Sequence, residues 1–193
     1  SDSSTGPSEI TKGPQGQTLE VETEKWDNGN IKAEFEYYRD GGSVVRHGWY
    51  KEYYEDGNIL LEATAFEGEH DGEWTYYHLG GEVKEIKTYV RGKAEGKWVS
   101  YYDDGQIEKE RHYVDNLLEG KWVSYYPTGR LMLEWNFVGG KEEGKWVYYY
   151  PEADAGTRWE EIYVNGQLEN KVGFYKNGNV WFEENYVDGS KHG

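Results

Sequence analysis

The stretch Glu95–Tyr102 reads EGKWVSYY, and the same eight letters return at Glu119–Tyr126. A near copy, EGKWVYYY, occupies Glu143–Tyr150. The interval is 24 residues each time, and Gly48, Gly72, Gly96, Gly120 and Gly144 keep it along the chain. A catalytic centre needs each of its residues once, whereas a surface built by repetition needs them many times. A fixed period of this length marks a repeat architecture.

Each repeat reads as two strands. Lys97–Tyr102 is rich in aromatic and β-branched residues, Asp103, Asp104 and Gly105 supply a turn, and Ile107–Val114 forms a second strand. The Asp-Gly pair predicts a tight type I′ hairpin with Tyr102 opposite Ile107 and Trp98 opposite Arg111. The next repeat then sets Tyr126 against Leu131 and Trp122 against Trp135. Asp115–Gly120 reads as a longer return turn. Turn glycines at Gly29, Gly57, Gly81, Gly105, Gly129, Gly156 and Gly178 mark seven repeats, with a three-residue excess near Ala153–Gly156 that breaks the phase once. The fold expected is all-β: an elongated, single-layer antiparallel meander of about seven 24-residue β-hairpins over residues 19–193, stabilised between neighbours.

A period of two assigns the faces. Leu131, Leu133, Trp135 and Phe137 share the more apolar face. The other carries Glu34, Glu62, Glu110, Glu134, Glu161 and Glu183 at one phase, with Val99, Val123 and Val147. With 9 Trp and 19 Tyr in 193 residues, rings must supply much of the packing. The ladder Tyr50, Trp74, Trp98, Trp122 and Trp146, together with Trp135, is the candidate interaction surface, because flat amphipathic rings give contact area at small entropic cost. The competing reading makes the same rings the core of the sheet.

The net charge of −16 argues against nucleic acid and anionic membranes as partners, since both recruit basic patches. The absence of cysteine excludes disulfides, thiol catalysis and Cys-based zinc sites. No apolar run approaches the roughly 18 residues of a membrane span. His47, His70, His78, His112 and His192 fall at different repeat phases and read as exposed strand or turn residues. The Glu ladder repeats one environment, whereas glycoside chemistry needs two distinct carboxylates, so it reads as a solvated face balanced by Lys97 or Lys109. No cofactor is expected; Asp103, Asp104, Glu55 and Asp56 suit their turns and offer calcium only weak accessory ligands.

Residues 1–18, rich in Ser, Gly, Pro and Thr, read as a flexible arm. A polar tail that starts at Ser1 and not Met fits a cleaved signal peptide, with a lipid anchor an open question. The expected location is therefore extracellular, periplasmic or cell-surface, the alternative being the cytoplasm. The edges are candidate assembly sites: Leu19, Val21 and Thr23 at one end, Val180, Phe182 and Tyr186 at the other. Gly189–Gly193 repeats the phase of Gly92–Gly96, where a further first strand could dock head to tail.

The pattern G-K-W-x-x-Y-Y-x-x-G-x-(I/L), then Glu, then Y-V-x-G (Tyr89, Tyr163 and Tyr186), resembles the variant MORN repeat (membrane occupation and recognition nexus), as in the YwqK-like bacterial group. The resemblance covers about Leu19–Gly193 and is best over Gly72–Gly144. It implies an array of β-hairpins with a non-enzymatic, protein-binding or scaffolding role. The alternatives are a self-assembling extracellular fibre that uses the edges and the N-terminal arm, and a carbohydrate-binding aromatic surface.

Overall fold

The computed structural model describes residues 12–153, 155–187 and 189–192. Among them strand follows strand without a helix. The chain divides into two compact units, Ser1–Lys93 and Ala94–Gly193. In the first, β1 (Glu20–Lys25), β2 (Ile31–Asp40), β3 (Ser43–Tyr53), β4 (Ile59–Phe66), β5 (Glu69–Tyr77) and β6 (Val83–Val90) each pair antiparallel with the next. The boundary between units falls inside the two-residue β7 (Lys93–Ala94).

The second unit continues the pattern with β8 (Gly96–Tyr101), β9 (Ile107–Val114), β10 (Leu117–Leu118), β11 (Gly120–Tyr125) and β12 (Leu131–Val138). It goes on through β13 (Lys141–Glu142), β14 (Gly144–Tyr149), β15 (Thr157–Val164), β16 (Gln167–Phe174), β17 (Val180–Val187) and β18 (Ser190–His192). Each unit is thus an antiparallel meander of hairpins, as the repeat predicts. The flexible arm expected over 1–18 lies outside the described residues as far as Thr11. From Lys12 to Thr18 the chain makes a small turn, closed by a bridge between those two residues and by Gly13 N donating to Gln17 O at 2.9 Å.

The two kinds of turn are the reverse of the expected ones. At the Asp-Gly turn, Gly105 N donates to Tyr102 O (2.9 Å) and Tyr102 N to Gln106 O (2.8 Å), with Gly105 at φ 80°. This is a three-residue loop ending in a left-handed glycine and a bulge. Tyr101, not Tyr102, therefore faces Ile107, and Tyr125, not Tyr126, faces Leu131; the bulge restores Trp98 opposite Arg111 and Trp122 opposite Trp135. The acid before the glycine has a separate task, since Asp104 Oδ1 accepts from Gln106 N at 3.0 Å, as Asp56 does from Asn58 N. The type I′ turns are the return turns. Asp115 and Asn116 both have positive φ (49° and 70°), as do Asn165 and Gly166 (52° and 83°).

The excess near Ala153–Gly156 is two residues, not three. Tyr150 N reaches Gly156 O at 3.2 Å, so Gly156 stands where Arg130 stands one repeat earlier and is not the left-handed turn glycine. The shift carries into β15. Glu160, not Glu161, faces Val147, and Glu161 turns to the opposite face against Trp146.

Two repeated letters staple neighbouring hairpins at opposite rims. The residue before each left-handed glycine of the 24-residue period (Gly48, Gly72, Gly96, Gly120 and Gly144) accepts the first amide of the following return turn. Glu95 receives Asp115 N (3.0 Å), Glu119 receives Gly139 N (2.8 Å) and Glu143 receives Asn165 N (2.8 Å). Asp71 does the same for Arg91 N at 2.9 Å, and His47 Nδ1 for Glu67 N at 3.1 Å. At the other rim the second tyrosine donates its hydroxyl to a carbonyl one hairpin on: Tyr54 to Tyr77, Tyr102 to Tyr125, Tyr126 to Tyr149 and Tyr150 to Phe174, at 2.7–2.9 Å.

Glu119→Ala is expected to destabilise the chain by about 0.5–1.5 kcal/mol in urea unfolding, because the Gly139 amide loses a charged acceptor. Glu119→Gln keeps an acceptor oxygen and should lose less. No measurable loss in Glu119→Ala would show that the staple contributes nothing.

Candidate binding face

The strands present two unlike faces. In the second unit one face carries an unbroken cross-strand row: Val99, Glu110, Val123, Glu134, Val147, Glu160, Val172 and Glu183. Lys121 reaches Glu134 (3.1 Å), Lys145 reaches Glu160 (2.6 Å), and Lys97 pairs with Glu110. Tyr149 donates to Glu134 at 2.7 Å; that bond, ahead of Lys121, holds the Glu134 carboxyl below its usual range. In the first unit the row runs Thr23, Glu34, Lys51, Glu62, Thr75 and Ile86, with Tyr53 donating to Glu34 and Tyr77 to Glu62. These carboxylates share one repeated, partly solvated setting and are engaged by lysine and tyrosine.

The other face is aromatic. In the second unit Trp122 meets Trp135 edge-on (4.9 Å), Trp135 stacks on Trp146 (4.6 Å, 18°), Trp146 meets Tyr163 (4.5 Å) and Tyr148 meets Trp159 (4.5 Å). Arg111 lies over Trp98 and Trp122 at 5.9 and 5.5 Å. Glu161 is buried here, 6% exposed, with Lys171 at 2.8 Å and the Tyr148 hydroxyl at 3.2 Å. In the first unit the rings close into a core of Phe35, Tyr37, Tyr50, Leu61, Ala63 and Trp74.

The ring ladder thus divides. Tyr50, Trp74 and Trp146 are buried at 6–7% exposure, while Trp98, Trp122 and Trp135 are half-buried. Trp74 and Trp146 each donate the indole N–H to a neighbouring carbonyl at 3.0 Å. Of the edge residues, Val21, Thr23 and Val180 are exposed and Leu19, Phe182 and Tyr186 half-buried. His47, expected at the surface, is 1% exposed between Tyr38 and Phe66.

The side chains that pair with the ladder rings from the second strand are Ala63, Lys87, Arg111, Trp135 and Glu161. Sequence reasoning placed Arg111 opposite Trp98 and Trp135 opposite Trp122, and missed Ala63, Lys87 and Glu161. This phase varies while the ladder stays aromatic, and its variability was the available signal. Among the described residues no group of three or more His, Cys, Asp or Glu converges as a metal ion would require.

A family model described as the MORN repeat variant matches residues 46–65, 71–91, 94–115, 118–138 and 171–188, together just over half of the chain. No curated protein matches it.

Proposed function

The chain belongs to the MORN repeat variant family, and from that premise we propose that it is a non-enzymatic scaffold that binds another protein on the aromatic face of residues 94–193. The observation that carries this reading is how the repeated letters are used. Glu119 and Tyr126 join hairpin to hairpin, and Lys121 pairs with the carboxylate row. The constant residues therefore build a frame, and the phase that holds half-buried Arg111 and Trp135, and buried Glu161, is left to vary on the aromatic face. Aromatic and arginine side chains are the residues that anchor protein interfaces.

Parallel capture from the source organism tests this, with the chain and a Trp122→Leu/Trp135→Leu variant as baits. A partner held by the first and lost by the second, while circular dichroism shows the variant folded, is the expected result. Partners retained equally by both would refute the face. A second reading, head-to-tail assembly, draws on exposed Val180 (56%) and Trp181 (63%) in β17. Against it stand Glu20, Glu22 and Glu24, which arm the aromatic-face side of β1 with charge. A monomer by light scattering at high concentration would dispose of assembly.

A further inference from the structure

The first hairpin departs from the repeat in two ways, and both departures meet at one place. Glu22 faces Phe35 across β1 and β2, as Trp122 faces Trp135 in the later repeat. A carboxylate thus stands at the position of a ladder ring. The β2–β3 hairpin is also longer than its successor: 10 and 11 residues against 8 and 9 in β4 and β5. The extension raises Val44 and Val45 as a wall. The result is an open groove of roughly 710 Å³ lined by Val44, Val45, Glu22, Glu24 and Glu67, with Arg46 lying over the Phe35 ring, which is itself 4% exposed.

We propose that this groove receives a lysine or arginine side chain of a partner protein. The proposal deepens the protein-binding reading above by naming a chemistry, at a different site. Exposed Val44 (48%) beside the carboxylates matches an aliphatic stem that ends in a cation. The chain supplies its own precedent, since the Arg46 guanidinium lies 4.7 Å from the Phe35 ring centre and 4.8 Å from that of Tyr50. Three carboxylates against the single Arg46 leave the groove at net −2, within a chain of −16. Charge complementarity therefore selects a basic partner and disfavours an acidic one, a second copy of this chain included.

The test uses the full chain, labelled with nitrogen-15, and a short acetylated, amidated alanine peptide carrying one central arginine. Its counterpart carries citrulline, the neutral isostere. The arginine peptide should shift the amides of Glu22, Glu24, Val44, Arg46 and Gly68, and the citrulline peptide should not. Glu22→Gln/Glu24→Gln should weaken binding about tenfold, while Asp103→Asn/Asp104→Asn, the same charge change elsewhere, should leave it within about twofold. Glu22→Trp restores the residue of the later repeats and should abolish binding in a chain that melts no lower than the parent. Equal binding of citrulline, shifts spread along all the acidic turns, or unchanged affinity in Glu22→Trp would each overturn the proposal. The two readings fail separately. Peptide binding with no partner captured on the aromatic face removes only the earlier one, and capture without peptide binding removes only this groove.

Discussion

Replacing Trp146 with alanine is expected to destabilise residues 94–193 by about 3–5 kcal/mol, the range for a buried tryptophan removed from a packed site. Trp146 is 7% exposed. Its ring stacks on Trp135, contacts Phe137 at 5.3 Å on the neighbouring strand and meets Tyr163 on the other side. Each such ring pair contributes about 0.5–1.5 kcal/mol beyond its buried area. The indole N–H also satisfies the Asn136 carbonyl, which alanine leaves without its donor. A sheet one layer thick has no second layer that can relax into the gap. The cost should therefore fall near the top of what one residue can carry in a chain stabilised between neighbours. Trp181→Ala is the matched control: at 63% exposure its loss should stay within about 0.5 kcal/mol. Urea unfolding gives both values, and near-ultraviolet circular dichroism should lose the signal of the stacked Trp135–Trp146 pair. A loss below about 1 kcal/mol for Trp146→Ala would mean that the ladder does not hold the sheet together.

The repeat and the alternation of faces were legible in the letters because both depend on spacing alone. The turn types were not. Asp104 and Gly105 spell a type I′ signal, yet the aspartate is present for its side chain, which caps Gln106 N, and only the glycine is left-handed. Asp115 and Asn116, with no glycine between them, form the true two-residue turn. The bond that selects it comes from outside the hairpin, where Asn116 N meets Ala94 O at 3.0 Å. The glutamate of EGKWVSYY was visible as a constant, but its partner stands 20 residues further along and becomes a neighbour only after the hairpins stack. His47 shares the phase of Asp71, Glu95, Glu119 and Glu143, all of them acceptors. Read down that column, a buried accepting imidazole was there to be found; read as one of five scattered histidines, it was not. Burial of the ladder rings does not follow from the letter across from each one: Trp74 faces Lys87 and is buried, whereas Trp122 faces Trp135 and stays half-buried.

Alkaline pH is expected to unfold the chain in one steep transition between pH 10 and 12, and the tyrosines on the carboxylate face set that window. Tyr53, Tyr77 and Tyr149 each donate to a glutamate of the row, at 2.9, 2.8 and 2.7 Å. Burial first, then the hydrogen bond and the nearby negative charge, push each of these phenols from its ordinary value of 10 up to about 12. Tyr76 and Tyr163 are pushed up to about 12, mainly by burial. In the unfolded chain the same phenols ionise near 10. Below that pH both states hold their protons, and the stabilising bonds are present in full. Between 10 and 12 the unfolded chain sheds protons that the folded chain retains, so every pH step favours unfolding, and several tyrosines add their slopes. Above about 12 the contribution is gone, and any surviving fold would hold phenolates against carboxylates. Phenolate absorbance and far-ultraviolet circular dichroism should therefore change together, near pH 11. Tyr53→Phe/Tyr77→Phe/Tyr149→Phe should start less stable at neutral pH, by about 1 kcal/mol per lost bond, yet show a shallower alkaline slope because three of the linked protons are removed. Full tyrosine ionisation at pH 10 in a chain that keeps its strand signal would contradict the argument, as would an unchanged slope in the triple variant.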